Sequence, residues 1–335
     1  MKAILVGFGN LGRGLARALM ESRDLLRAQG VEMEVVAVVD EAGGVVGEKL
    51  DLQKLIEVSE TKGTVAPLGK PGLQALEVIQ EVEADVIVEL TPTNIKTGEP
   101  GLSHIKAAME AGKHVVTSNK GPLVVALREL ERLAARRGVQ FRYSATVGGS
   151  IPVISLARRL CSGDEILSIR GVLNGTTNYI LSRMERDGLP QDIVLREAQE
   201  LGIAEKDPTL DIEGIDTACK LVILANSILN LDAKLQDIQI TGISRITPDA
   251  LRLARESGYT IKLLGSASKG ELSVRPTLVP HDHPLAVSGT LNAVCFGLRF
   301  AREITITGFG AGPRETSSAL LADLVEIGKV SGRSP

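Results

Sequence analysis

The first 120 residues of the chain alternate short runs of aliphatic and β-branched residues with longer stretches in which apolar positions recur at helical spacing. Hydrophobic strands separated by amphipathic helices are typical of a parallel sheet that helices cover on both faces. The pattern therefore predicts an α/β domain at the start of the chain. Strands are predicted within 2–9, 33–40, 84–90 and 113–119, and loops at 41–49 and 91–101, which are rich in Gly, Pro and polar residues.

The pattern changes after residues 139–153. Apolar and polar positions alternate more regularly there, as in a sheet with one exposed or helix-covered face. This indicates a second domain of the α+β class. Strands are predicted at 166–173 and 272–279, and helices at 191–202 and 215–230.

The segment 301–328 repeats the order of strand, glycine turn and helix found at the start of the chain. We interpret it as the chain returning to complete the first domain. The predicted domains are therefore 1–138 with 308–335 for the first, and 139–307 for the second.

Composition and charge narrow the classes of function. A net charge of −3 offers no basic surface for nucleic acid or an anionic membrane. The three cysteines are too few and too dispersed for a disulfide framework or a zinc site. The apolar run at the start breaks at glycines, unlike a signal peptide, and no segment has the roughly 18 apolar residues of a membrane span. We expect a cytoplasmic protein.

A glycine-rich turn, "GFGNLG", directly follows the first strand and opens the first helix. In a GxGxxG pattern the first glycine allows the tight turn, the second lets the backbone approach a pyrophosphate, and the third permits close helix–strand packing. The helix amino terminus then supplies amide donors to the phosphates. A packing turn in a sheet that binds nothing is the alternative. The predicted dinucleotide-binding residues are Gly7, Phe8, Gly9, Asn10, Leu11 and Gly12.

Asp40 ends the second predicted strand, where an acidic residue often accepts hydrogen bonds from the adenosine ribose. A carboxylate there repels a 2′-phosphate and so favours NAD over NADP. Lys49 and Lys54 lie nearby and offer cations to a phosphate, so both cofactors stay open. An acidic loop residue with no ligand is the alternative for Asp40.

Residues 215–229 contain only two charged residues, Asp216 and Lys220, and nearly all the others are apolar. Residues four apart share one face of a helix, so the carboxylate and the ammonium point the same way. Ionisable groups in apolar surroundings are often catalytic, although structural ion pairs also occur in cores. The residues alone leave both interpretations open.

Seven segments of the chain, taken in order, form a specific pattern: "GFGNLGRGLARAL", "VVTSNKGPL", "YSATVGGSIPVI", "GVLNGTTNYIL", "EAQELGIAEKDPTLDIEGIDTACKLVILA", "HPLAVSGTLNAV" and "GAGPRETSSALLADL". Through these segments the chain closely resembles homoserine dehydrogenase over essentially its whole length. The resemblance implies reduction of L-aspartate 4-semialdehyde to L-homoserine with NAD(P)H, on the way to threonine and methionine. It also implies a Rossmann-type nucleotide-binding domain, a catalytic and dimerisation domain, and a homodimer.

The same resemblance assigns catalytic roles to two lysines. It places Lys220 at the substrate to handle the proton, and Lys120 facing the reacting carbonyl, and which lysine is the principal acid–base stays open. Hydride delivery to an aldehyde develops negative charge on its oxygen, which an ammonium stabilises and protonates. The implied substrate-binding residues are Glu205, Asp211, Asp216, Gly175 and Thr176, and further cofactor contacts are implied at Thr91, Lys120, Gly310 and Glu315.

The segment "SATVGGS" resembles a loop that binds a monovalent cation, such as Na⁺, through backbone carbonyls in this family. The matching residues are Val147, Gly149 and Ile151, and Ser144 stands where many members have glutamate. A glycine-rich strand end without an ion is the alternative.

Other functions compete with this interpretation. His281 and His283 share one strand face, but no third ligand pattern accompanies them as zinc would require. An acylating semialdehyde dehydrogenase would need a thiolate nucleophile. A regulatory protein that binds NAD(P) without catalysis would not need the two lysines and their carboxylates. The chain resembles the short, monofunctional form without a kinase or regulatory domain, so we expect no inhibition by threonine.

Overall fold

The computed structural model describes residues 1–331, which divide into two compact units. The first unit comprises Met1–Thr146 and the segment from Gly312 onward, and the second comprises Val147–Ala311. The boundaries lie after residues 146 and 311, where the sequence predicted them after 138 and 307. Assigning a function to each domain stays a prediction at this point.

The first unit contains a seven-stranded sheet in the order β4-β3-β2-β1-β5-β6-β7. Strands β2, β1, β5, β6 and β7 are parallel, and β3 and β4 extend the sheet in antiparallel fashion. The predicted α/β class is confirmed. The strands are β1 (Lys2–Val6), β2 (Glu34–Asp40), β3 (Gly43–Val46), β4 (Lys70–Pro71), β5 (Val86–Glu89), β6 (His114–Thr117) and β7 (Phe141–Arg142).

Six helices follow these strands along the chain, as the apolar strand pattern predicted. Turns of 3₁₀ helix lie at Ala66–Leu68 and Ser144–Thr146. The helices are α1 (Asn10–Glu21), α2 (Arg23–Ala28), α3 (Leu52–Lys62), α4 (Ala75–Glu81), α5 (Gly101–Glu110) and α6 (Lys120–Arg137).

The loop predicted at 41–49 is wrong in part, because β3 occupies its centre. Gly44 lies so close to β2 that an added Cβ would come within 2.9 Å of the Val38 carbonyl oxygen. The glycines that suggested a loop are therefore what allows this strand to pair closely, while Val45 is buried beside it.

The second unit contains a six-stranded sheet in the order β13-β12-β8-β10-β11-β9. Neighbouring strands are antiparallel except β9 and β11, as expected for the predicted α+β class. The strands are β8 (Ile166–Val172), β9 (Gln239–Ile240), β10 (Tyr259–Ser268), β11 (Glu271–Pro280), β12 (Leu291–Leu298) and β13 (Glu303–Phe309).

Helices of the second unit pack on this sheet around a shared core. The predicted helices at 191–202 and 215–230 are confirmed as α9 and α11. Residues Thr217–Asn226 of α11 are all buried, which explains the nearly continuous apolar sequence. A 3₁₀ turn lies at Leu235–Asp237. The helices are α7 (Val153–Leu160), α8 (Gly175–Asp187), α9 (Gln191–Glu200), α10 (Thr209–Ile212), α11 (Ile215–Ser227) and α12 (Pro248–Glu256).

The interpretation that residues 301–328 complete the first domain is wrong for the strand. Strand β13 pairs with β12 from Leu291–Phe309 to Gly297–Glu303 and belongs to the second sheet. A strand that follows its neighbour after a short turn pairs readily as a hairpin, and the glycine turn after it does not reveal which sheet it joins. Only the last helix, α13 (Pro313–Ser331), lies in the first unit.

The core of the first unit joins strands and helices from both parts of its chain. Leu5 of β1 and Val38 of β2 share one cluster with Leu15 of α1 and with Leu320 and Leu324 of α13. Within residues 1–331, no helix combines the length and the apolar character needed to cross a bilayer.

Candidate active site

The glycine turn at the start of the chain has the geometry that the sequence predicted. Gly7 has φ +96°, and a Cβ added to it would lie 2.7 Å from the Leu90 backbone. A Cβ on Gly12 would lie 2.5 Å from the Gly7 carbonyl oxygen. The chain itself therefore requires both glycines, for the turn and for close packing.

Gly9 differs, because a Cβ there would meet no atom within 4 Å. It precedes α1 as its N-cap, and no side chain caps that helix. The chain gives no packing reason for this glycine, so an open backbone surface with free helix amides is left at the end of β1. Such a surface fits a phosphate, as the glycine pattern and its position at the start of a helix predicted. The residues between the glycines differ in burial and in position. Phe8 is buried, and Asn10 and Leu11 are the first two residues of α1.

Asp40 holds the neighbouring loop through its carboxylate. Oδ1 accepts hydrogen bonds from Ala42 N at 3.0 Å and Thr64 Oγ1 at 2.8 Å, and Oδ2 accepts from Val65 N at 2.8 Å. A carboxylate has about four acceptor positions, so most of this capacity is used within the chain. One position is left for a ribose hydroxyl.

The carboxyl ends of β5 and β6 carry a set of polar side chains that we call the Glu89 network: Glu89, Thr91, Thr117 and Asn119. Glu89 is completely buried and accepts hydrogen bonds from Thr91 and Thr117. Asn119 caps α6, whose first residue is the half-buried Lys120. The network therefore contains one predicted site residue, Thr91, and lies directly beside another, Lys120.

The second unit brings four side chains together in what we call the Asp216–Lys220 cluster: Asn174, Asp211, Asp216 and Lys220. Lys220 Nζ lies 2.7 Å from Asp216 Oδ2 and donates to the Leu173 carbonyl oxygen at 2.6 Å. Asn174 Nδ2 donates to Asp211 Oδ1 at 2.6 Å and to Asp216 Oδ2 at 2.9 Å. The lysine and carboxylate are only 11% and 13% exposed, so water screens their interaction weakly.

The two carboxylates of this cluster affect each other. Burial raises the pKa of Asp211, and repulsion by Asp216 raises it further, while the Asn174 hydrogen bond and the Lys220 charge oppose the shift. Two carboxylates and one ammonium leave the cluster with a formal surplus of one negative charge. Such a site attracts a second cation.

The amino terminus of α8 closes one side of the cluster. A Cβ on Gly175 would lie 2.9 Å from the Thr290 carbonyl oxygen, so glycine is required there by packing. Asn174 Oδ1 accepts from Thr177 N at 2.9 Å and caps the helix. Thr176 Oγ1 donates to the Ile203 carbonyl oxygen at 3.1 Å, so this hydroxyl is already bonded within the chain.

Glu205 is not joined to the cluster by a hydrogen bond between described residues. Its side chain is exposed, and its backbone oxygen accepts from Gln199 Nε2 at 3.1 Å. Its substrate-binding role stays a prediction.

Two predicted cofactor residues flank the point where the chain passes between the units. In the second unit, a Cβ on Gly310 would lie 2.0 Å from Asn292 Nδ2, so the buried Asn292 amide packs directly on this glycine. In the first unit, Glu315 lies in the first turn of α13 with Oε2 2.0 Å from the Cβ position of Gly312. Both roles stay predictions.

The predicted cation loop contains two successive glycines with left-handed backbone, Gly148 and Gly149. The Ile151 carbonyl oxygen accepts from Val153 N at 2.7 Å, which uses part of its capacity. Val147 and Gly149 complete the predicted carbonyl set. Ion binding by this loop stays a prediction.

The structure adds no support for the alternatives of a zinc site at the histidines or a catalytic thiolate. His283 Nδ1 accepts from Leu285 N at 3.0 Å, and the described residues contain no group of three or more His, Cys, Asp or Glu side chains suited to a metal ion. Cys219 and Cys295 are buried and Cys161 is exposed.

Sequence reasoning did not single out three buried groups. Asn174 had a weak signal, since it precedes a helix in a capping position. Glu89 ends an apolar strand, as catalytic groups in parallel sheets often do. Lys262 of β10 had no signal; it is 1% exposed, donates to Asn178 Oδ1 at 3.0 Å and Ser182 Oγ at 3.3 Å, and burial lowers its pKa to about 8.

Comparisons with known proteins agree over both units. The family model "Homoserine dehydrogenase, NAD binding domain" matches residues 7–144, and "Homoserine dehydrogenase" matches 152–325. A homoserine dehydrogenase of Methanocaldococcus jannaschii is 51% identical, over 98% of each chain. An NAD(+)-dependent homoserine dehydrogenase of Pseudomonas canavaninivorans is 40% identical, over 97% of this chain and 96% of its own. A hyperthermophilic archaeal homoserine dehydrogenase in complex with NADPH has a TM-score of 0.85 at 29% identity, over 100% of this chain and 98% of its own.

Proposed function

The chain belongs to the homoserine dehydrogenase family, and on that premise we propose how its own residues carry out the reaction. It is an NAD(P)-dependent oxidoreductase with a Rossmann-type domain that interconverts L-aspartate 4-semialdehyde and L-homoserine. We place this step in threonine and methionine biosynthesis. The observation that carries the proposed mechanism is the Asp216–Lys220 cluster, in which a buried ammonium is held between a carboxylate and a backbone carbonyl.

Lys220 handles the proton. Its ammonium has three donor hydrogens, of which Asp216 and the Leu173 carbonyl oxygen take two. The third is directed to the substrate oxygen. When the aldehyde is reduced, negative charge develops on that oxygen, and Lys220 stabilises the charge and donates its proton. When homoserine is oxidised, the neutral amine accepts the hydroxyl proton.

Asp211 and Asp216 bind the α-ammonium of the substrate. The cluster's surplus negative charge suits this group, and charge-assisted hydrogen bonds to carboxylates orient it. Asn174 Nδ2 donates to both carboxylates and so fixes their positions relative to each other. Glu205, Gly175 and Thr176 complete the proposed substrate site.

The nucleotide cofactor is held by the turn from Gly7 to Gly12, whose open Gly9 surface fits a pyrophosphate. When bound, the cofactor supplies or accepts the hydride. Thr91, Lys120, Gly310 and Glu315 are proposed further contacts, with Lys120 also acting as a second cation at the reacting carbonyl. A monovalent cation such as Na⁺ would be held by the backbone carbonyls of Val147, Gly149 and Ile151.

Asp40 gives a preference for NAD. Its carboxylate has one acceptor position left for a ribose hydroxyl, and its negative charge would repel a 2′-phosphate. Relatives are named with each cofactor, one as NAD(+)-dependent and one in complex with NADPH. For this chain we propose NAD as the better substrate.

We also infer that the protein is a cytoplasmic homodimer, from its resemblance to the family. Light scattering coupled to size-exclusion chromatography would give about twice the chain mass of 35.5 kDa if this is right.

A single assay tests the proposed function. Purified protein is mixed with L-homoserine and either NAD⁺ or NADP⁺, and the reduced nicotinamide is followed by absorbance. We expect homoserine-dependent reduction of both cofactors, with a higher kcat/KM for NAD⁺. A higher kcat/KM for NADP⁺ would contradict the role given to Asp40, and no reduction with either cofactor would contradict the function.

A further inference from the structure

Glu89 is a fully buried carboxylate at the carboxyl end of β5 that the proposed mechanism does not use. Its exposed fraction is 0%. A buried carboxylate is costly unless hydrogen bonds satisfy it, so its partners should explain why it is there.

Three donors from the chain satisfy this carboxylate, and all of them lie on segments that lead to the proposed site. Thr91 donates to Oε1 with its backbone N at 3.0 Å and also with its hydroxyl. Thr117 Oγ1 lies 3.2 Å from Oε2 and 3.0 Å from the Glu89 carbonyl oxygen, and its single hydrogen is shared between these two acceptors. The carboxylate therefore joins the loop after β5 to the end of β6.

From these two threonines the hydrogen bonds continue to Asn119. Asn119 Nδ2 donates to the Thr91 carbonyl oxygen at 3.1 Å, and its backbone N donates to Thr117 Oγ1 at 3.0 Å. Asn119 Oδ1 in turn accepts from Gly121 N at 3.0 Å and caps α6. Lys120 lies between Asn119 and Gly121, so its backbone position depends on this chain of bonds.

Helix α5 packs against the Glu89 network from another side. A Cβ on Gly101, the first residue of α5, would lie 2.7 Å from Asn119 Nδ2 and 3.1 Å from Glu89 Oε2. The amino terminus of α5 therefore packs directly against the Glu89 carboxylate. His104 of α5 is also buried, with Nδ1 3.8 Å from Glu89 Oε1.

We propose that Glu89 is a positioning residue for the reaction: through Thr91, Thr117 and Asn119 it fixes the backbone that carries Lys120 and Thr91 at the sheet edge. Glu89 itself touches neither substrate nor cofactor. The inference rests on the proposed roles of Lys120 and Thr91 and adds the reason why a carboxylate is buried beneath them.

The test compares Glu89→Met with Glu89→Gln. Methionine has a similar length but offers no strong acceptor, so Thr91 N and the Thr91 hydroxyl lose their partner, while the Thr117 hydroxyl keeps the backbone carbonyl oxygen of residue 89. Glutamine keeps one oxygen for Thr91. Because small displacements of catalytic groups are costly, we expect Glu89→Met to lower kcat by about tenfold or more and Glu89→Gln to stay within about threefold of wild type.

The pattern across variants separates positioning from simple loss of stability. Asp323→Asn is the matched control, since Asp323 is also a buried carboxylate of the first unit, bonded to Ser144 rather than to the network. It should leave kcat unchanged while melting temperatures report folding for every variant. A kcat for Glu89→Met within about twofold of wild type, or an equal loss in Glu89→Gln, would overturn the proposal.

A second pair keeps the proposal testable if Glu89→Met does not fold. Thr117→Val removes the hydroxyl that links Glu89 to Asn119 without changing the side-chain shape, and Thr117→Ser keeps it. We expect the valine variant to lose turnover and the serine variant to retain it; equal turnover in the two overturns the proposal.

Lys120→Met distinguishes the positioning role of Glu89 from the proposed role of Lys120, on which it rests. A normal kcat in Lys120→Met would overturn the role of Lys120 and the inference with it. If Lys120→Met is impaired but the Glu89 and Thr117 variants are not, only the positioning role of Glu89 fails.

Discussion

Two lysines of the second unit are buried beside different hydrogen-bond partners. Lys220 is buried, and its amine lies between the Asp216 carboxylate and a backbone carbonyl. Lys262 is 1% exposed and donates to two neutral oxygens, on Asn178 and Ser182. The more deeply buried ammonium is thus the one without a carboxylate in its hydrogen bonds.

This difference in neighbouring groups separates the chemical role proposed for Lys220 from a structural role for Lys262. Burial lowers the pKa of Lys262 to about 8 despite the opposing charge of Glu185, and its neutral partners tie α8 to β10. Lys220 shares its surroundings with two carboxylates, which hold the amine and also form a site for a cationic substrate group. Depth of burial alone therefore does not distinguish the two lysines; the neighbouring carboxylates are what favour Lys220 for the proposed catalytic role.

The largest expected effect comes from removing the amine of Lys220. Lys220→Met should lower kcat by at least about a hundredfold, because general acid–base catalysis typically contributes that much or more. Its dissociation constant for the reduced cofactor, measured by fluorescence, should stay within about threefold of wild type.

Lys262→Met is the matched control, with the same substitution in the same unit. Its kcat should stay within about threefold of wild type. A loss of turnover as large as that of Lys220→Met would remove the distinction between the two lysines.

The next effect concerns stability and its dependence on pH. The pKa of Lys262 is about 8 in the folded protein against 10.5 ordinarily, so between these values the unfolded chain binds the extra proton. Raising the pH through this window must stabilise the wild type relative to Lys262→Met, by about 3 kcal/mol in total. Melting temperatures of both proteins from pH 7.5 to 10.5 test this, and a constant difference would contradict it.

A buried acid in the first unit should show the opposite sign and a smaller effect. Burial raises the pKa of Asp323 to about 6 from 3.8, although Ser144 donates to it through N and Oγ. The folded protein binds the proton more tightly, so the wild type loses stability relative to Asp323→Asn as pH rises from 4 to 6. We expect a change of about 2 kcal/mol, read from melting temperatures; a wild type that gains stability instead would contradict the assignment.

Local sequence patterns were enough to predict part of this account. The glycine turn of Gly7, Gly9 and Gly12 follows from three positions next to one strand, and the Asp216–Lys220 pair follows from helical spacing. Both depend on residues close together in sequence, where geometry is fixed by the element itself.

Contacts between distant segments could not be predicted in this way. Asn174 reaches Asp216 from 42 residues away, and Lys262 reaches Asn178 from 84 residues away. Strand β13 joined the second sheet because it pairs with β12, which the repeated strand–turn–helix pattern does not encode. Such pairings are decided by the tertiary fold, and only coordinates reveal them.

Chemical rescue of Lys220→Ala tests the central claim most directly, that the amine of Lys220 handles the proton at the substrate. The variant leaves a space where a small primary amine such as ethylamine can replace the lost group. The account predicts that turnover of homoserine, almost absent in Lys220→Ala, rises with ethylamine concentration while the wild type does not respond. A folded Lys220→Ala protein that turns over homoserine at the wild-type rate without added amine, or that never responds to it, would contradict the account.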